Sequence, residues 1–282
     1  MIEHRRFGDL LPHLVLLAGV VVVAFPVYLA IIASTHDNSV IANGQMPLYP
    51  GSHAVETYWN TIVSGTGKTT RQPVGGMLIS SLIMAVGIAV GKIAISIISA
   101  YAVVFFSFPG RMVFFWMIFV TLMLPVEVRI IPTYEVASNL HLINTYAGLT
   151  IPLIASATAT LLFRQFFLTI PDELVEAAKI DGAGPLRFFW DTVLPLSRTN
   201  LAALFVILFI YGWNQYLWPL LITTRDDMQT IVIGIKKIID VHDALTEWNI
   251  AMATAVLAML PPVLVVLTMQ RLFVKGLIET EK

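Results

Sequence analysis

The chain has 282 residues, of which 57% are hydrophobic and 12% charged, with a formal net charge of −1 and no cysteine. Soluble domains average ~45–50% apolar and ~25% charged residues, so an ordinary soluble fold and a disordered chain are both excluded. The balanced charge provides no field for nucleic acid, and the lack of cysteine removes disulfides, thiol catalysis and Cys-bound zinc.

Taken in chain order, runs free of Asp, Glu, Lys and Arg predict an all-α, polytopic membrane protein. A helix needs ~20 mostly apolar residues to cross a bilayer core. The pattern puts six spans near 13–34, 77–106, 112–132, 146–167, 201–222 and 250–270. Residues 1–12 then form an N-terminal segment, 13–270 a transmembrane domain and 271–282 a tail. Arg5 and Arg6 precede the first span and the next cation is Lys68, so the N-terminus is expected in the cytoplasm. With six spans both termini are cytoplasmic. The apolar run from Leu10 to Ser34 exceeds the ~7–15-residue core of a signal peptide, so it reads as an uncleaved first helix.

The outer loop 35–76 contains Ser64-Gly65-Thr66-Gly67-Lys68-Thr69-Thr70, which resembles a phosphate-binding loop. That motif needs a glycine five residues before the Gly-Lys pair, and Ile62 stands there. The stretch reads as a plain Gly/Thr loop, and the chain is not expected to bind ATP.

The second span carries Lys92 near its middle, beside a Gly87/Gly91 step suited to close helix packing. A central lysine costs ~2.5–3.5 kcal/mol on insertion scales, so it must face a cavity or a partner. Two readings stand: a cation on a transport route, or half of a structural ion pair. In the third span, Glu127 and Arg129 are two residues apart and cannot face each other on a helix. Arg129 either receives an anion or snorkels to the interface. Trp213, Asn214, Gln215 and Tyr216 fall at the centre of the fifth span. Adjacent amides in hydrocarbon need partners, along a polar route or between helices.

The cytoplasmic loop 168–200 is the most patterned connector. Pro171, Asp172 and Glu173 start a helix and Gly182 stops it, which predicts a three-turn helix over 171–181. Leu174, Ala177, Ala178 and Asp181 share one side at spacings of three and four. Pro185 opens a second helix carrying Leu186, Phe189, Trp190 and Val193, expected to dock on the membrane domain. Paired alanines permit close approach and Glu176 offers a charge-assisted contact, which suits a plug for a soluble partner. An amphipathic linker lying on the bilayer needs the same pattern.

Glu176-Ala177-Ala178, Gly182 and Leu194-Pro195, with Thr192 where isoleucine is usual, resemble the EAA loop of ATP-binding-cassette importer permeases. Residues 114–119, 124–129, 146–150, 164–167, 211–220 and 269–271 are similar to the carbohydrate-uptake (MalG-like) group, and within it to permease subunits for sn-glycerol 3-phosphate. The resemblance implies a type I importer permease fold in a bacterial inner membrane. It implies a non-enzymatic subunit with no cofactor of its own, because ATP and Mg are bound by two copies of a separate cytoplasmic ATPase. A sister permease and a periplasmic substrate-binding protein complete the complex.

On that resemblance Glu176, Ala177, Ala178, Gly182, Leu194 and Pro195 couple to the ATPase. Lys92, Arg129, Trp213, Asn214, Gln215 and Tyr216 belong to the route of a phosphate ester, and loop 223–249 reaches the binding protein. No metal site is expected. The alternatives are a permease of the same type for another sugar or a glycerophosphodiester, an ion-coupled secondary transporter and a membrane enzyme. A secondary transporter needs carboxylates in mid-membrane, where only Glu127 comes near. An enzyme needs a convergent polar set, and no HExxH pattern or Asp cluster occurs.

Overall fold

The computed structural model describes residues 10–65, 72–121, 124, 126–240 and 246–279. Arg5, Arg6, Lys68, Arg71, most of the Gly/Thr loop, and the side chains of Glu127 and of the tail from 271 onward lie outside the described residues. In chain order the helices are α1 (Leu10–Ala33), α2 (Asn38–Ala42), α3 (Ala54–Trp59), α4 (Val74–Phe105), α5 (Arg111–Val120), α6 (Val126–Asn139), α7 (Tyr146–Thr150), α8 (Ala157–Phe167), α9 (Asp172–Ile180), α10 (Pro185–Phe188), α11 (Leu194–Leu196), α12 (Arg198–Trp213), α13 (Leu217–Ile222), α14 (Ile231–Ile239) and α15 (Trp248–Glu279). No strand occurs among the described residues.

Three of these helices, α1, α4 and α15, are long and apolar enough by length and composition to cross a membrane. Three other stretches read from the sequence as single continuous helices are broken, and this corrects that reading. The 146–167 stretch bends by 51° between α7, with its following 3-10 turn Ile151–Leu153, and α8. Pro152 has no N–H to give the Gly148 carbonyl four residues earlier. The buried Trp218 supplies the missing donor: its Nε1 gives a 3.0 Å hydrogen bond to the Gly148 oxygen. A backbone carbonyl away from water needs such a partner.

The 201–222 stretch breaks between α12 and α13. A continuous helix would drive the Pro219 ring against the Gln215 carbonyl, so the chain restarts at Leu217. The 112–132 stretch divides into α5 and α6; α5 has 10 residues, ~15 Å of rise, and falls short of a bilayer core.

The chain divides into two compact units, Met1–Gly76 with Gly234–Leu260, and Met77–Ile233 with Pro261–Lys282. In the first, α1 leaves nearly all of its apolar side chains uncovered, as a lipid-facing helix does. Its C-terminal end leads into a hydrogen-bonded knot: Thr35 Oγ1 accepts from Gly51 N at 2.7 Å, and His36 Nε2 lies 2.8 Å from the Tyr49 carbonyl. Asp37 caps α2, and the Ser39 hydroxyl and amide hold its carboxyl below the usual range. Trp248 N, at the start of α15, donates to Asn38 Oδ1 at 2.8 Å. Residues 35–65 are therefore a hydrogen-bonded segment with two short helices.

In the second unit the core gathers Met84 and Ile88 of α4, Ile130 and Ala137 of α6, Leu149 of α7, and Trp218 and Ile222 of α13. The predicted Gly87/Gly91 step is used as read: Cβ atoms there would meet Thr150 Cγ2 at 2.8 Å and Ile154 Cγ2 at 2.5 Å. Asn144, in the left-handed region at φ 57, ties two connectors together. Its Oδ1 accepts from Thr224 N and Arg225 N, and its Nδ2 donates to Thr224 Oγ1.

Candidate functional site

The predicted cytoplasmic helix forms as α9, with Pro171 at its N-cap and Asp172 and Glu173 in its first turn. Gly182 ends it at φ 72, a left-handed conformation that L side chains rarely adopt. Glu176 and Ala177 are exposed and Ala178 is half-buried. The helix thus presents Glu176 and Ala177 outward. Ile180 is 86% exposed beside them.

The second helix departs from the sequence reading in part: Phe189 and Val193 dock as read, while Leu186 and Trp190 do not. After the single turn of α10, residues Phe189–Val193 form a π-helical turn. One extra residue in the turn rotates everything that follows. The docked residues are Phe188, Phe189 and Val193, while Leu186 and Trp190, expected to dock, are 76% and 62% exposed. Leu194 and Pro195 stand directly after this turn, in the 71° bend that leads to α12. Pro195 cannot donate to the Asp191 carbonyl, which favours a widened turn there. Ser197 takes up the Val193 carbonyl through both its N, at 3.0 Å, and its Oγ, at 2.6 Å.

An aromatic cluster fixes this region to α4. Tyr101 meets Phe189 edge-on at 5.0 Å and Phe105 meets Phe188 at 5.4 Å. Phe105 also reaches Phe167 of α8 at 5.8 Å. The Tyr101 hydroxyl donates to the Pro185 carbonyl at 2.7 Å. Tyr101 was not singled out from sequence: a Tyr near the end of an apolar run carries no signal of its distant partner.

Nine residues along the same helix from Tyr101 lies Lys92, 7% exposed. Its ammonium sits 3.9 Å over the centre of the Tyr211 ring. Arg129 of α6 is exposed and within electrostatic range of both Lys92 and Tyr211. Among the described residues no carboxylate pairs with Lys92. Close backbone contact sets this geometry: a Cβ on Gly212 would lie 2.9 Å from Ala85 Cα and 3.5 Å from Ile88 Cβ. Only glycine lets α12 approach α4 so closely, and that approach puts Tyr211 beneath Lys92.

The four-residue polar group of the fifth span does not lie mid-helix but at the α12–α13 break. Trp213 is buried and stacks on Phe209 at 5.8 Å, Asn214 is exposed at the C-cap of α12, and Gln215 and Tyr216 are half-buried. Gln215 Nε2 donates to the Tyr211 carbonyl at 3.1 Å, so this amide closes the end of its own helix. Tyr211, adjacent to this group, was missed because its role depends on a cation from another helix. Elsewhere Arg164 packs 4.4 Å over the Phe115 ring and joins α8 to α5.

Residues 92–279 match the family model described as binding-protein-dependent transport system inner membrane component. The chain is 59% identical over 282 residues to the sn-glycerol-3-phosphate transport system permease protein UgpE of Agrobacterium fabrum, covering 100% of both chains. It is 58% identical to the protein of that name in Rhizobium meliloti and 57% to that in Yersinia pestis, again over 100% of both chains. Among solved structures it is similar to a chain of a bacterial ABC transporter involved in the import of the acidic polysaccharide alginate. That likeness has a TM-score of 0.81 at 20% identity and covers 96% of this chain and 98% of the other, so it speaks to the fold alone.

Proposed function

This chain belongs to the binding-protein-dependent transport system inner membrane components, and from that membership we propose that it is the permease subunit carrying sn-glycerol 3-phosphate into the cell. The observation that carries the substrate is the full-length identity to relatives of that name. As a permease of an ABC transport system it is not itself the catalytic subunit. It works with a sister permease, two copies of a cytoplasmic ATPase that bind ATP and Mg, and a periplasmic binding protein. It crosses the inner membrane six times with both termini in the cytoplasm; the bent pairs α7–α8 and α12–α13 and the pair α5–α6 each serve as one crossing.

The coupling segment is α9 with the bend after it. Glu176, Ala177 and Ala178 enter the ATPase subunit, Gly182 sets the angle of entry, and Leu194-Pro195 pass the movement to α12. What supports this reading is the outward face of α9 together with the aromatic attachment of the following Phe188 and Phe189 to α4. On this reading movement of α9 passes through Phe188 and Phe189 to the helix that carries Lys92. Lys92, Arg129 and the break at Trp213, Asn214, Gln215 and Tyr216 lie along the route.

Uptake of labelled sn-glycerol 3-phosphate in cells with and without this subunit, repeated without the sister permease, tests the proposal. Uptake is expected to need both. Uptake that survives removal of this chain, or vesicles holding only this chain that accumulate solute down an ion gradient, would refute it.

A further inference from the structure

The packed cluster of Ile88, Ile130 and Tyr211 brings together the helices that carry two cations, Lys92 and Arg129, without a described carboxylate between them. Lys92 comes from α4, Arg129 from α6, and the ring of Tyr211 from α12. Their neighbours Ile88, Ile130 and Tyr211 belong to one packed cluster, so the three helices meet at this level. Like charges in a medium of low dielectric repel strongly, and a buried ammonium is kept charged only by a counter-charge or an equivalent dipole. The face of an aromatic ring is a weak substitute for an anion, worth less than a charge-assisted hydrogen bond. It can hold an ammonium and release it to a stronger acceptor.

We propose that Lys92 and Arg129 form one anion site whose counter-charge is the phosphate of the passing solute, and that the Tyr211 ring holds the Lys92 ammonium between passages. The proposal rests on the reading of this chain as a phosphate-ester permease and adds to it the residues that neutralise the charge. A phosphate ester carries about −1.5 to −2 charges at neutral pH and offers three acceptor oxygens, enough to engage an ammonium and a guanidinium together. The ring lowers the penalty of leaving the buried ammonium without an anion after the solute leaves, so the site need not bind tightly to function. Gly212 keeps the ring in place by bringing α12 onto α4.

The experiment uses the complete importer, assembled with its sister permease, ATPase subunits and binding protein, and measures the maximal rate of labelled sn-glycerol 3-phosphate uptake. Co-purification of the ATPase subunit verifies assembly of each variant. Lys92→Gln is expected to lower the rate ~10-fold and Arg129→Gln ~5-fold, while Lys92→Arg, which keeps both charge and ring stacking, retains at least about a third. Because both cations act on one phosphate, the double variant should fall within ~2-fold of the worse single variant. Tyr211→Leu is expected to lose ~5-fold, and Tyr211→Phe, which keeps the ring face, to restore more than about half.

Unchanged uptake in Lys92→Gln, losses that multiply in the double variant, or Tyr211→Phe as damaging as Tyr211→Leu would each overturn the site. Glu127→Gln matching the loss in Lys92→Gln would assign the counter-charge to the protein and overturn it as well. If Lys92→Gln does not assemble, Arg129→Gln and the two Tyr211 variants decide. A wild-type importer that takes up no phosphate ester would instead sink the functional reading on which the site rests.

Discussion

The Tyr101 hydroxyl donates a 2.7 Å hydrogen bond to the Pro185 carbonyl, joining the C-terminal end of α4 to the turn that follows the exposed helix α9. One helix thus carries the attachment point of the segment after α9 and, nine residues away, the buried Lys92. Tyr101 and Phe105 also pack against Phe189 and Phe188, so the segment after α9 is held to α4 by ring contacts as well as by this bond.

Tyr101→Phe tests the bond separately from the packing. It removes one hydrogen bond, ~1 kcal/mol, and leaves the ring contacts. Uptake by the complete importer is expected to fall a few-fold with ATPase-subunit association intact. Tyr101→Ala, which also empties the aromatic cluster, should fall much further. Equal, unimpaired uptake in both would remove this contact from the path of coupling.

Gly182 and Glu176 separate backbone geometry from surface contact. A Cβ on Gly182 meets nothing within 4 Å, so Gly182→Ala strains only the left-handed backbone, by ~1–2 kcal/mol. It should reduce uptake partly, and the β-branched Gly182→Val should abolish it. Glu176→Ala should abolish uptake with the backbone intact and the protein still in the membrane. Immunodetection in the membrane fraction alongside uptake checks both, and normal transport by Glu176→Ala and Gly182→Val would deny α9 its role.

Gly212 marks a close backbone approach between α4 and α12. Adding a methyl group 2.9 Å from Ala85 Cα must push the helices apart, with an overpacking cost of ~1–3 kcal/mol. Gly212→Ala is expected to lower the melting temperature of the purified complex and to slow uptake, since Tyr211 moves with α12. A melting temperature equal to wild type would mean that α12 yields without strain.

Trp218 and Pro152 offer a compensation test. Trp218→Phe leaves the Gly148 carbonyl without its 3.0 Å donor in a buried position, a loss of ~1–3 kcal/mol. Adding Pro152→Ala restores an N–H four residues after Gly148. The double variant should melt above Trp218→Phe alone. If it melts lower, the carbonyl has found another donor and the tryptophan is held there by packing only.

Much of this was legible in one dimension. Hydropathy marked α1, α4 and α15 because apolar length is a local property of the chain. Helix α9 could be bounded to within a residue, since Pro171, the acidic first turn and Gly182 act through their own backbone. Lys92 could be singled out because a charge in an apolar run is costly wherever it points. The breaks were less legible: Pro152 and Pro219 signal trouble in a helix, but where the chain restarts depends on which distant group takes the freed carbonyl.

By itself, then, the order of residues determined an apolar, helical membrane chain with a patterned segment over 168–200 and a lysine that demanded a partner. Only the tertiary structure decided that the partner is the ring of Tyr211, that Phe188 and not Leu186 docks, and that Trp218 completes a helix it does not belong to. The division has one physical cause. Propensity, hydropathy and capping act over a few residues along the chain, whereas a π turn, a glycine-thin contact and a cation over a ring are settled by packing between segments brought together only when the chain folds.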